Sequence, residues 1–155
     1  MTGTTTGDDR SSARTQARAE HDRVLATGDH LLQQMAFRDV DVAGADLAVE
    51  LTLDGRITNP RGALQGGLLA TLVDIVAGRA VLLGGSRDSV ATSDLSVHFL
   101  RGLTVGPARA VATVVRRGSR SAVVTVDVFD AGTEDLCAVA TAAFSISPAP
   151  VDPVF

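Results

Sequence analysis

Residues 66–83 read Gly66-Gly67-Leu68-Leu69-Ala70-Thr71-Leu72-Val73-Asp74-Ile75-Val76-Ala77-Gly78-Arg79-Ala80-Val81-Leu82-Leu83. Apolar residues fall on nearly every side of a 3.6-residue helix, so the pattern predicts a helix buried on most sides. The exceptions, Gly67, Thr71, Asp74 and Gly78, share one stripe of small and polar positions. A carboxylate within such a helix costs on the order of several kcal/mol unless something pairs with it. Arg79 lies five residues on, about 140° round the helix, and is a poor partner. Asp74 is therefore either a functional carboxylate or one that reaches solvent at a helix edge or an oligomer seam. Gly84-Gly85-Ser86 is the expected helix end.

Downstream the pattern changes to a period of two. Leu95, Val97 and Phe99 alternate with Asp94, Ser96 and His98; Val111, Thr113 and Val115 share a face; so do Ala122, Val124, Val126 and Val128. Turns are expected at Arg117-Gly118-Ser119-Arg120 and around Gly132, and a last strand from Leu136 to Ile146. Upstream, Leu47, Val49, Leu51 and Leu53 alternate into an Asp54-Gly55 turn, and Val40–Gly44 is a short strand candidate. Asn59-Pro60-Arg61-Gly62 is turn chemistry. Ala19 to Ala36 carries helical spacing weakened by Gly28. Residues 1–18 hold almost nothing apolar and are expected as a disordered tail, with one domain over 19–147 and a short proline-punctuated tail over 148–155. Short-looped consecutive strands are antiparallel. The expected architecture is α+β: an antiparallel sheet wrapped around one long buried helix.

The composition excludes several function classes. The 155-residue, 16.0 kDa chain suits one domain and carries a net charge of −4, with five Phe and no Tyr or Trp. That is the wrong sign for a duplex binder and too few aromatics for a base-stacking surface, so no nucleic-acid partner is expected. Every basic residue is Arg, which removes lysine-based Schiff-base and phosphate-loop chemistry. The lone Cys137 reads as a small core residue and no metal site is expected. Mean hydropathy is +0.22, yet Asp74 and Arg79 interrupt the longest apolar stretch, so no membrane association is expected. Without an apolar leader stretch, the expected setting is cytoplasmic.

Two glycines at a helix start let a ligand approach the backbone, and the first-turn N–H groups there are unpaired. Gln65-Gly66-Gly67 therefore suits an anion or a developing oxyanion. The run from Asn59 through Gln65-Gly66-Gly67 to Asp74, with Ala91 to Arg101 downstream, resembles the active-site segment of hotdog-fold acyl-CoA thioesterases. It looks most like the phenylacetate-degradation subgroup of the 4-hydroxybenzoyl-CoA thioesterase-like superfamily. The resemblance covers about residues 40–147 and implies a hotdog fold.

The resemblance implies that Asp74 is the catalytic carboxylate, as general base or nucleophile. It implies that the Gly66 N–H polarises the thioester carbonyl, that Asn59 holds water or thioester, and that Thr92 supplies a hydroxyl near Asp74. The family draws the Asp and hydroxyl from one subunit and the Asn and Gly from its partner, which implies a homodimer or a homotetramer. Gln65 stands where the family has His; it keeps hydrogen-bonding capacity and loses proton transfer. Gly67 is a candidate substrate-binding residue, and Arg101, Arg116, Arg117 and Arg120 are candidates for the coenzyme A phosphates or are solvated strand ends. No cofactor is expected beyond coenzyme A as part of the substrate. From the residues alone Asn59 equally suits a turn and Thr92 a strand. Asp94, Ser96 and His98 share one strand face and cannot form a catalytic triad. The alternative is a non-hydrolytic module binding acyl-CoA or acyl-carrier protein, favoured by Gln65.

Overall fold

The computed structural model describes residues 7–83 and 88–148, and divides into one unit up to Ala36 and another from Phe37 onward. The first unit holds α1 (Gly7–Thr27) and a 3-10 helix (Leu31–Gln34). Residues 7–18, expected as a disordered tail, are thus helical. The helix expected over Ala19–Ala36 instead starts earlier and breaks at Gly28, whose φ of +75° ends it. The exposed side chains of residues 15–23 explain why no apolar pattern announced it. Residues 1–6 lie outside the described residues, as do Gly84-Gly85-Ser86 and Pro150 and Pro153.

The second unit contains β1 (Phe37–Val40), β2 (Leu47–Leu51), α2 (Gly66–Leu82), β3 (Asp88–Phe99), β4 (Ala108–Arg117), β5 (Ser121–Asp130) and β6 (Asp135–Pro148). The strand expected at Val40–Gly44 instead spans Phe37–Val40, sharing only Val40 with the expectation. All six strands form one antiparallel sheet in the order β1-β2-β4-β5-β6-β3. The helix α2 packs on one face, which is the hotdog architecture expected. One pairing departs from the consecutive-strand expectation: β3 pairs with β6, not with β4. The chain crosses from β3 to β4 through residues 100–107 and inserts β4 between β2 and β5.

The helix-facing side follows the period-two reading. Val124, Val126 and Val128 register with Ala142, Ala140 and Ala138 on β6, and Val128 and Val126 with Ala110 and Ala112 on β4; all are buried. Against them lie Leu69, Leu72, Val73, Val76, Ala77, Ala80 and Val81 of α2. Small side chains on β4 and β6 let the helix sit close to the sheet while valines fill the centre.

Asp130 continues the buried parity of 122, 124, 126 and 128 and is itself 2% exposed. Its carboxylate accepts the N–H groups of Thr104 (3.0 Å), Val105 (2.9 Å), Gly106 (2.8 Å) and Gly132 (3.1 Å). Burial alone would raise its pKa; the backbone N–H bonds outweigh that and hold it below the usual carboxylate value. Asp130 therefore fixes the crossing that sends the chain from β3 into β4. Two tight spots depend on it: a Cβ on Gly132 would meet Val105 at 2.4 Å, and Gly106 needs φ +75°.

Asp130→Ala strands several buried N–H groups and is expected to cost about 3 kcal/mol, on the order of 10 °C in melting temperature. Because the folded-state pKa lies below the unfolded one, this stabilisation is present above the unfolded value and is lost as pH falls through the folded value. Acid unfolding of wild type and Asp130→Ala should therefore converge at low pH, as followed by circular dichroism.

Candidate active site

The start of α2 is built by the loop before it. Asn59 N–H donates to the Ala63 carbonyl at 2.7 Å, Leu64 N–H to Leu103 at 2.8 Å, and Gln65 N–H to Ile57 at 2.9 Å. Gly62 supplies the left-handed position of this turn with φ +78°. Gln65 is the N-cap; its carbonyl accepts Leu68 and Leu69 N–H, both at 3.0 Å, while its side-chain Oε1 accepts the Gly66 N–H at 3.2 Å. Asn59 Oδ1 accepts Arg61 N–H at 2.9 Å and Ala63 N–H at 3.3 Å, so this residue does form the turn. Its side-chain amide group has no partner among the described residues. Asn59 and Gly66 open onto a pocket of about 330 Å³ whose apolar lining includes Leu69, Phe99 and Leu103.

Asp74 is half-buried, and Thr92 Oγ1 donates to its Oδ1 at 2.7 Å. The register slips between Thr92 and Asp94, a bulge in β3 beside the residue that meets the carboxylate. Arg79 pairs with Asp39 instead, at 2.8 and 2.6 Å, and among the described residues Asp74 has no ion pair. The stripe on α2 is not uniform. Gly67 is exposed with open space beyond it, and Thr71 Oγ1 donates to its carbonyl at 3.0 Å. Gly78, by contrast, is buried, and a Cβ there would meet the Phe144 ring at 3.4 Å. It is a packing glycine.

Gly66 and Asp74 lie on one helix, about 12 Å apart along its axis at about 1.5 Å per residue. They cannot both touch one reacting carbon from the same chain. The structure thus joins the candidates in two groups: Asn59, Gln65 and Gly66 at the helix start, and Asp74 with Thr92 at mid-helix.

The arginines divide too. Arg101 pairs with Asp135 at 2.7 Å, and Arg117 donates to the Val81 carbonyl at 3.2 Å and to Asp88 at 3.1 Å. Arg116 and Arg120, on the β4–β5 hairpin, are exposed and have no side-chain partner among the described residues. Cys137 is buried, and burial pushes its thiol pKa up, which suits a core residue rather than a nucleophile. His98 is exposed on β3. Among the described residues no group of three or more His, Cys, Asp or Glu is placed to hold a metal, and no helix is long and apolar enough to cross a membrane.

Three residues escaped the sequence reading. Asp130 was detectable as the carboxylate on the apolar parity of its strand. Phe99 was read only as part of an apolar face, although its ring lies 3.6 Å from where a Gly66 Cβ would stand. Glu50 is 5% exposed on the outer face, bonded by Arg38 and Arg109. Burial opposes ionisation of Glu50, and those two guanidiniums override it to lower the pKa. No local pattern announces that pairing across three strands.

The sequence matches the family profile described as Thioesterase superfamily over residues 61–137. The Saccharolobus solfataricus protein named "Putative esterase SSO2140" is 24% identical over 110 residues, 71% of this chain and 79% of that protein. A second from the same organism, "Putative esterase SSO1253", is 31% identical over 59% of this chain and 61% of its own length. Among solved structures, thioesterase HI1161 of Haemophilus influenzae superposes with a TM-score of 0.68 at 21% identity, covering 76% of this chain and 82% of that one. The BH2602 protein of Bacillus halodurans, solved with CoA, gives 0.59 at 27% identity, covering 68% and 73%. The architecture is the hotdog thioesterase fold.

The two stripe glycines should respond oppositely to a side chain. Gly67→Ala, into open space, is expected to raise stability by up to about 1 kcal/mol through helix propensity. Gly78→Val, against Phe144, is expected to lower it by about 1–3 kcal/mol through overpacking. Thermal melting of the two variants checks both signs.

Proposed function

We propose that this protein hydrolyses an acyl-CoA thioester to a free acid and coenzyme A. The observation that carries the reading is the Thr92–Asp74 hydrogen bond on the side of α2 turned away from the sheet, with an N-terminus at Gly66 suited to a carbonyl oxygen. Asp74 either removes a proton from water, whose oxygen attacks the thioester carbon, or attacks that carbon itself and is regenerated by water. In both routes the C–S bond breaks and the thiolate of coenzyme A takes up a proton. The Gly66 N–H and the helix dipole stabilise the developing oxyanion. For that N–H to meet substrate, the Gln65 amide must turn away from it. No cofactor enters these steps; coenzyme A is part of the substrate, and the CoA in the Bacillus halodurans structure supports that class.

The 12 Å gap along α2 is closed by a second copy, which sets one chain's Asp74 and Thr92 opposite the other's Gly66 and Asn59. Support for a homodimer, or a homotetramer built from it, comes from β3. This strand is twelve residues long, sits at the sheet edge and leaves Leu95 exposed. We assign the chain to the phenylacetate-degradation subgroup on the Asn59–Asp74 run and to the cytoplasm.

The competing reading is a non-hydrolytic acyl-CoA or acyl-carrier-protein binding module. Gln65 favours it, because its own amide oxygen already occupies the Gly66 N–H. Thiol release from a panel of acyl-CoAs separates the two. Asp74→Asn is expected to lower turnover on the order of a thousandfold, about 4 kcal/mol in the barrier, while acyl-CoA binding and melting persist. A folded Asp74→Asn protein with near wild-type turnover overturns the assignment.

Arg116 and Arg120 are the better phosphate candidates, since Arg101 and Arg117 are already engaged. Arg116→Ala with Arg120→Ala should raise KM for acyl-CoA about tenfold, near the value of one charge-assisted contact. It should leave KM for the matching acyl-pantetheine unchanged, and added salt should raise wild-type KM towards that of the variant.

A further inference from the structure

We propose that Phe99 selects the acyl group, and that the group it admits is uncharged and apolar; the inference rests on the thioesterase reading of the site. Phe99 lies on the parity of β3 that faces the helix, registering with the buried Ala138 of β6. Its ring lies against Gly66 with its Cε1 and Cζ atoms 3.6 Å from the position of a Gly66 Cβ. Yet it is 57% exposed, and among the described phenylalanines none other is so open to solvent. The chain has few aromatics, so an open ring at this position is not one of many.

The pocket beside it explains the exposure. Its polar edge is Asn59 and Gly66, and its apolar surface is Phe99 over Leu69 and Leu103, which are 3% and 1% exposed. A thioester whose carbonyl oxygen is held at Gly66 must direct its acyl carbons along one side of that N–H. The Phe99 ring is the wall on that side. A pocket of about 330 Å³ lies at the small end for ligand sites. Arg101, at the rim, is paired with Asp135 and offers little to a second carboxylate. Malonyl and succinyl groups are thereby disfavoured, and straight-chain acyl groups of moderate length are favoured.

The test measures kcat/KM of the full chain on acetyl-, butyryl-, hexanoyl- and succinyl-CoA, for wild type, Phe99→Leu and Phe99→Ala. The ratio of hexanoyl to acetyl is expected to fall about tenfold or more in Phe99→Ala, the scale of a few lost methylene contacts, with Phe99→Leu between. Succinyl-CoA should be the poorest wild-type substrate. A loss equal for all chain lengths, or a change of oligomeric state that accounts for it, assigns Phe99 to the subunit seam and overturns the proposal. Should Phe99→Ala misfold, Phe99→Leu alone decides by the same ratio. If wild type releases no thiol from any ester, the hydrolase reading fails separately. Phe99 is then judged by calorimetry: the preference for hexanoyl-CoA over acetyl-CoA must shrink in Phe99→Ala, and an unchanged preference refutes it.

Discussion

Everything in the second unit follows from burying α2. Leu72, Val73, Val76, Ala77 and Val81 of that helix are fully enclosed, and the sheet beneath it supplies that burial. The alanines of β4 and β6 let the helix sit down on the sheet, and Gly78 lets the Phe144 ring pass beneath it. Burial also selects what remains for chemistry. With the sheet-facing side of the helix closed, its start and the opposite side, which bears Thr71, Asp74, Ile75 and Leu82, are what reach solvent.

A second carboxylate holds that frame in place. Asp130 is as buried as the valines around it, and it is stable there because backbone N–H groups from two loops converge on it. The crossing it secures moves β3 away from its sequence neighbour β4 and onto β6. That places β3 at the sheet edge, where the Thr92 hydroxyl reaches Asp74 and Phe99 reaches Gly66. The topology and the candidate site are thus linked through one internal hydrogen-bond network.

Much of this was legible in the residues. The helix read from Gly66 to about Leu83, which runs to Leu82 with Leu83 as its cap, and the turns at 59–62 and 117–120 were set by local periodicity and turn chemistry, and they hold. The strand order was not legible, because pairing β3 with β6 depends on Asp130 meeting amides more than twenty positions upstream. The first half of the N-terminal helix was not legible either: helical spacing was readable only from Ala19, since the polar residues before it carry no burial pattern. Within the site, the stripe on α2 pointed to Asp74, but it counted Gly78 as equivalent to Gly67. A glycine kept small for a ligand and one kept small for a phenylalanine read alike until the ring is seen.

Gln65 marks where hydrolase and binder part. Its backbone is held on both sides, by the Ile57 carbonyl and by the Leu68 and Leu69 amides, so only its side chain can move. That side chain is exposed, and its contact with the Gly66 N–H is a single bond at 3.2 Å, worth about 1 kcal/mol or less in water. A thioester anchored by its coenzyme A portion can displace so weak a cap. Once displaced, the amide has N–H groups to offer the same carbonyl oxygen, which a histidine could also do and an alanine could not. In the proposed reaction Gln65 thus gives electrostatic support and no proton transfer, and the chemistry falls to Asp74. A module that only binds has no use for an ionisable carboxylate placed half in water with a hydroxyl aimed at it. That placement weighs more than the missing histidine.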